Sequence, residues 1–269
     1  MMRKLLIAGL CLSILFSCQA GDDKSAQAAK EKPLVVAMDL SFPPFEGIDA
    51  EGKPYGISVD MAKDLAASLG RDVEIVNVKW DGLIPGLRSG QYDAVISSMS
   101  VTPERQAVVD FSDPYGEMGI DFLARKDFVF TEPSVLNTPD VRIAVRKGTI
   151  GETLAMDQFP KARIVSLNDF ESAVLEVLQN KADVALADPL TVYEYQKKYS
   201  EQLAAYYRSM SVVPLAIAVK KTDDKEFLNK VNEFVKKYVT EGKLKAVTDK
   251  YLSDVKEEFA KQNQPFFIY

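Results

Sequence analysis

The chain has 269 residues, 47% of them hydrophobic and 27% charged, enough apolar material for a sizeable core in one large domain or two smaller ones, which excludes disordered and fibrous classes. Its formal net charge of -6 is spread along the chain with no basic stripe, which argues against nucleic acid as a partner. It contains no histidine, so Ser-His and Cys-His nucleophiles and His-ligated metals are excluded, which closes a large part of enzyme chemistry; the sequence singles out no catalytic group, metal or cofactor.

Arg3 and Lys4 precede an apolar run from Leu5 to Phe16 that is too short for a permanent membrane span and reads as an export signal over residues 1–17. Both cysteines, Cys11 and Cys18, fall here, so the exported body holds no internal disulfide. Leu15-Phe16-Ser17-Cys18 resembles a bacterial lipobox in which Cys18 becomes the acylated first residue; ordinary cleavage near Gln19 to Gly21 is the alternative, because Phe16 is unusual in such a box. Residues 18–32 then form the acylated Cys and a flexible, polar tether.

Leu34 to Ala37 predicts a strand, followed by Asp39 and the stiff aromatic loop Phe42-Pro43-Pro44-Phe45. Val59, Ala62, Leu65, Ala66 and Leu69 have helical spacing that stops at Gly70, a helix-ending residue. Val73 to Val78 alternates as a strand, and Trp80 precedes a short helix with Leu83 and Leu87 on one face. In YDAVISSMSVTPER, Tyr92 to Arg105, an apolar strand runs into hydroxyls and then a helix start with Thr102 as N-cap and Pro103 at its first position. Arg105 at that start suits a carboxylate, with a plain surface ion pair as the competing explanation.

Further on, strands are predicted within Phe111 to Arg125, over Val141 to Val145, Ile164 to Leu167 and Ala182 to Ala187, with a helix carrying Phe170, Ala173, Val174, Val177 and Leu178 on one stripe. Val212 to Val219 predicts one late strand, and Phe227 to Tyr251 a helical stretch. Strands and helices alternate as in parallel α/β sheets, where ligands sit beyond the carboxyl ends of strands. The segments Leu87 to Ile96 and Leu178 to Leu186 echo each other as helix end, turn, Asp and strand, which suggests two lobes of like design.

Taken together, VVAMDLSFPPFEG, YGISVDMAKDLA, WDGLIPGLRSGQYDAVISSMSVTPERQAVVDFSDPY, IAVRKGTIGE and ADVALADP resemble the bacterial extracellular solute-binding proteins of polar amino-acid ABC importers, over Pro33 to about Leu252. The resemblance implies a type II periplasmic-binding fold: lobe 1 over 33–117 and 216–260, lobe 2 over 118–215, two hinge crossings, and a tail over 261–269. It implies a non-catalytic monomer that closes on a polar L-amino acid, is anchored by lipid outside the cytoplasm, in the periplasm or on the cell surface, and serves an ABC permease in the inner membrane.

By the same resemblance Arg105 clamps the ligand's α-carboxylate, Ser98 and Ser100 flank it, with Ser97 a weaker candidate, and backbone amides of Thr149 and Ile150 complete the seat. Asp188 pairs with the α-ammonium unless it is simply a turn residue before Pro189. Phe42 and Trp80 wall the side chain, whereas Phe45 is assigned to the core. Asp39 and Arg146 together suit a carboxamide, so a glutamine-like ligand is favoured over arginine or lysine; Arg146 bridging to Asp39 would leave a basic ligand open. The alternative function is a periplasmic cyclohexadienyl (prephenate/arogenate) dehydratase on the same fold, with Asp188 as the acid.

Overall fold

The computed structural model describes residues 32–207 and 210–261. The expected export signal, Cys18, nearly all of the tether and the tail after Lys261 lie outside the described residues.

The first half of the chain runs β1 (Leu34–Met38), β2 (Gly47–Ile48), β3 (Pro54–Tyr55), α1 (Ile57–Ser68), β4 (Val73–Asn77), α2 (Trp80–Ser89), β5 (Ala94–Val95), α3 (Pro103–Gln106), β6 (Val109–Phe111), β7 (Gly116–Gly119) and β8 (Asp121–Arg125). After a 3-10 turn at Pro133–Leu136 come β9 (Arg142–Arg146), α4 (Ile150–Gln158), β10 (Arg163–Leu167), α5 (Phe170–Leu178), β11 (Val184–Ala187), α6 (Pro189–Lys198), β12 (Leu203–Tyr206), β13 (Val212–Leu215), β14 (Ala218–Lys220), α7 (Glu226–Thr240) and α8 (Lys243–Lys261).

Two five-stranded sheets form, in the orders β4-β1-β5-β14-β6 and β10-β9-β11-β8-β12. The sheets are mixed rather than wholly parallel: β1 runs parallel to β4 and β5, but β14 is antiparallel to β5 and β6. In the second sheet β9 is parallel to β10 and β11, while β8 is antiparallel to β11 and β12. The reason lies in the crossings, since β8 and β14 are the strands by which the chain enters one sheet and returns to the other. The two sheets therefore share one plan, and the Leu87 and Leu178 segments occupy matching places in it. Asp93 accepts the backbone N–H of Val35 at 3.0 Å at the foot of β1, and Asp183 accepts that of Arg142 at 2.8 Å at the foot of β9.

Each sheet is covered on both faces, as alternating strands and helices require. On the first, Val36 and Met38 pack against Met61 and Leu65 of α1, while Ala37 and Val95 face Leu83 and Leu87 of α2. On the second, Phe122 and Val145 pack with Ala155 and Phe159, and Leu123 and Ala144 with Val174 and Val177.

The single strand expected over Val212 to Val219 is two strands. β13 pairs antiparallel with β7 in a narrow ribbon between the sheets, and β14 joins the first sheet. The ribbon also braces the loop after β5: Val101 N–H donates to Pro214 O at 2.9 Å and Ala216 N–H to Met99 O at 3.2 Å. The helical stretch near the C-terminus is likewise two helices, broken at Gly242, whose φ of 75° only glycine adopts readily. β12 and α6 had no counterpart among the predicted elements.

Candidate functional site

The residues singled out from the sequence converge on one cleft between the two sheets, reached from the carboxyl ends of their strands. Asp39 follows β1, Ser98 and Ser100 follow β5, Arg146 ends β9, Thr149 and Ile150 open α4, and Asp188 follows β11. Together with Phe42, Trp80 and Arg105 they line a cavity of about 80 Å³. Since a water-sized sphere needs about 10–15 Å³, that space is small, and side chains reaching across the cleft account for it.

Arg105 sits in α3, a single turn rather than an extended helix, where the Thr102 hydroxyl accepts the Arg105 N–H at 3.3 Å as a cap. Its guanidinium donates to Ser100 O at 2.7 Å and, across the cleft, to Gly148 O at 3.0 Å. Burial brings its pKa down to about 10, with the carboxylate of Glu104 opposing the shift, so it stays cationic near neutral pH. A guanidinium has five N–H donors, so Arg105 retains capacity for a bidentate carboxylate. The carbonyl of Gly148 also accepts the Trp80 indole N–H at 2.9 Å. Gly148 has a φ of 72°, a left-handed conformation that presents this carbonyl to both donors.

Trp80 does not stand free against the cavity. The guanidinium carbon of Arg105 lies 5.2 Å and that of Arg146 5.7 Å from its ring, both within cation–π range. Arg146 reaches across and pairs with Asp39, the second of the two arrangements weighed from sequence. Asp39 is further held by the Ser41 hydroxyl, which donates to it at 2.7 Å, and its own N–H donates to the Ser97 hydroxyl at 3.0 Å. The Nε of Arg146 is buried with no hydrogen-bond partner among the described residues, an outcome expected to cost free energy unless something in the cleft accepts from it.

Asp188 is a helix cap as well as a cleft residue. Its two oxygens accept the N–H of Thr191 at 2.9 Å and the hydroxyl of Thr191 at 2.6 Å. Burial pushes its carboxyl up from the ordinary value, and the bonds from Thr191 hold it back. Thr149 uses its hydroxyl on Arg146 O at 2.7 Å and its N–H on the same oxygen at 3.3 Å. Ser98 adopts a φ of 48°, which is uncommon away from glycine and of the kind found at sites that hold ligands.

Sequence reasoning missed Glu46. It lines the cleft yet is 1% exposed. The stiff loop returns it there: Phe42 and Glu46 exchange backbone hydrogen bonds of 3.0 and 2.9 Å around the two prolines. Three hydroxyls donate to its carboxyl, Ser58 at 2.6 Å, Ser97 at 3.0 Å and Ser98 at 3.2 Å. Burial pushes its pKa up to about 8, with the three hydroxyls opposing and the charge of Asp39 adding to the rise. Phe170, Met118, Ile120 and Leu186 give the cavity apolar walls that the sequence did not single out. Phe45 is buried in the first core, stacked 4.8 Å from Phe42.

The family model for bacterial extracellular solute-binding proteins, family 3, matches residues 34–254. The ABC transporter arginine-binding protein 1 of Escherichia coli is 29% identical over 255 residues, which is 93% of this chain and 99% of that protein. A putative ABC-transporter binding component from Wolinella succinogenes, solved with lysine, is 30% identical with a TM-score of 0.76, covering 82% of this chain and 95% of that one. An ancestral amino-acid-binding protein, a precursor of cyclohexadienyl dehydratase, is 36% identical with a TM-score of 0.72, over 81% of this chain and 94% of that one.

Proposed function

The chain belongs to the bacterial extracellular solute-binding proteins of family 3, and from that membership we propose that it captures a polar L-amino acid between its lobes and delivers it to the permease of an ABC importer. The observation that carries this reading is the presence of Arg105 and Asp188 in one cleft with the Ser98 and Ser100 segment. A free amino acid brings a carboxylate and an ammonium, and each needs a charged or well-directed partner once water is removed. Arg105 exchanges its bond to Gly148 O for the α-carboxylate, aided by the start of α4 at Thr149 and Ile150. Asp188, already fixed in place by Thr191, takes the α-ammonium. Phe42 and Trp80 hold the side chain between them.

The lobes, 33–117 with 216–260 and 118–215, close about the ribbon of β7 and β13, because a ligand touching both favours the closed form. Cys18, acylated as the first residue, keeps the protein on a membrane surface outside the cytoplasm. Among the described residues no helix is long and apolar enough to cross a membrane.

For the side chain we favour a carboxamide of the glutamine type. Asp39 already has a cation in Arg146, and the free Nε–H of Arg146 is a donor waiting for an amide oxygen. The cationic side chains of arginine and lysine are the second reading, supported by Glu46 as an additional carboxyl at this cleft and by the names of the relatives above. A dehydratase has less support, since the acid it would use, Asp188, is engaged as a helix cap.

Calorimetric titration of a soluble form starting after Cys18 against the twenty amino acids tests the reading. Saturable heat is expected for one polar class. Arg105→Ala is expected to weaken every ligand by about tenfold to a hundredfold or more, since a hydrogen-bonded charge pair contributes roughly 1.5–3 kcal/mol and its loss strands the α-carboxylate. Turnover of prephenate with no amino-acid binding would overturn it, and normal binding by Arg105→Ala would show the seat to be misassigned.

A further inference from the structure

Glu46 is a carboxyl with only neutral partners. Its hydrogen bonds come from Ser58 on α1 and from Ser97 and Ser98 after β5, and among the described residues no arginine or lysine bonds to it. The charged and titratable groups around it give no relief. From the end of β1, Asp39 adds negative charge, and from the approach to β7 the phenol of Tyr115, which has no hydrogen-bond partner among the described residues, is made harder to ionise first by its burial and then by Glu46. From its own lobe, Arg105 is bonded to Ser100 O and, across the cleft, to Gly148 O; from the other side, Arg146 is already paired with Asp39, and Asp188 is held by Thr191. With its pKa at about 8, Glu46 carries a proton at neutral pH.

A protonated carboxyl offers one O–H donor and keeps acceptor capacity, which matches a carboxamide without any change of charge. A guanidinium or ammonium in the same buried place lacks a free counter-charge, because Asp39 is occupied. Ionising Glu46 supplies one, at the cost of releasing its proton to solvent.

We propose that Glu46 selects between side chains by its proton: a cationic amino acid is captured with release of a proton from Glu46, and a carboxamide amino acid is captured without it. This rests on the amino-acid-binding reading above. The balance is simple, the ligand cation entering and one proton leaving, with no other reactant. Affinity for the cation then rises with pH up to about 8, by at most about tenfold per pH unit, and levels off above it, while affinity for the amide does not follow that curve.

The test is calorimetry of L-arginine and L-glutamine at pH 6 to 9 in buffers of different ionisation heat, which counts protons exchanged. Glutamine serves as the internal baseline, since proton exchange at Asp188 with the common α-ammonium cancels in the difference. Arginine is expected to release up to one proton more than glutamine near pH 6.5, the excess vanishing above about pH 9. In Glu46→Gln that excess is expected to disappear. In Ser58→Ala, which removes a hydrogen bond outside the cleft that favours the ionised form, the arginine curve is expected to move to higher pH. Equal proton counts for the two ligands in the unmodified protein, or an excess that survives Glu46→Gln, would overturn the proposal while leaving amino-acid capture standing. Binding of no amino acid at all would overturn both.

Discussion

Glu46 makes the folded state prefer a neutral carboxyl, and that has a consequence for stability as well as for binding. Below pH 4.5 the carboxyl is protonated in both folded and unfolded chains. Between 4.5 and about 8 the unfolded chain loses this proton and the folded one keeps it, so the folded state binds more protons and stability falls as pH rises through that window. The shift corresponds to on the order of 5 kcal/mol as an upper bound. Glu46→Gln keeps a neutral side chain of nearly the same shape, so its stability against pH, followed by urea unfolding, is expected to be flatter than that of the unmodified protein over this range. An unchanged slope would mean that Glu46 is ionised in the fold. Its role was not legible in the sequence because a Glu between Phe45 and Gly47 looks like an ordinary loop residue; its partners Ser58, Ser97 and Ser98 are 12, 51 and 52 positions away. Asp39, Arg146 and Asp188 were easier to find, because the resemblance to a known family marks their positions and each sits where an apolar strand pattern ends, the place where ligands gather in α/β sheets.

At the scale of elements, periodicity served best where one face is buried against one neighbour. The α5 stripe and the α1 stripe are examples, and the structure places Val174 and Leu65 in the two cores accordingly. It failed where other forces decide. α6 alternates aromatic and charged residues with little stripe, and it is held at its start by the Asp188 cap and by Pro189. β13 and β14 read as one apolar run because both are extended; only their partners, β7 in one case and β5 with β6 in the other, separate them. The turn glycines illustrate how context outweighs residue type. Gly52 and Gly56 both have positive φ, 81° and 121°, but a Cβ at Gly52 meets nothing within 4 Å whereas one at Gly56 falls 2.4 Å from the carbonyl oxygen of Phe45. Gly52→Ala is therefore expected to cost about 1 kcal/mol from backbone strain alone. Gly56→Ala adds a clash with backbone that cannot yield cheaply, and it displaces the loop carrying Glu46, for a loss of roughly 3 kcal/mol or more. Equal unfolding midpoints for the two variants would show that the 44–56 turn is softer than this packing implies.

At the scale of the whole molecule, the polar contacts across the cleft among the described residues are few. They include the Asp39–Arg146 pair, the two bonds to Gly148 O from Arg105 and Trp80, and the Arg146 guanidinium over the Trp80 ring. Away from the cleft the lobes are joined by the β7–β13 ribbon, and the ring of Phe259 on α8 packs against Tyr193 and Tyr207 from the second lobe at 5.7 and 5.3 Å. Those joints tether the lobes without filling the space between them, so closure depends on a small number of terms that single substitutions can alter. The pair is largely shielded, with side-chain exposures of 13% for Arg146 and 10% for Asp39, and removing one partner of such a pair leaves the other charge uncompensated at a cost of up to about 3–5 kcal/mol. Opening the cleft lets water reach that charge, so the cost is avoided by separation of the lobes. Asp39→Asn is expected to give a larger radius of gyration by small-angle scattering than the unmodified protein in the absence of amino acid, and to return to the same compact value when ligand saturates it. Adding Arg146→Gln, which removes the stranded charge, is expected to restore part of the compaction without ligand. If Asp39→Asn and the unmodified protein scatter identically in both conditions, the ribbon and the Phe259 contact hold the lobes together on their own, and the cross-cleft pair acts on ligand choice alone.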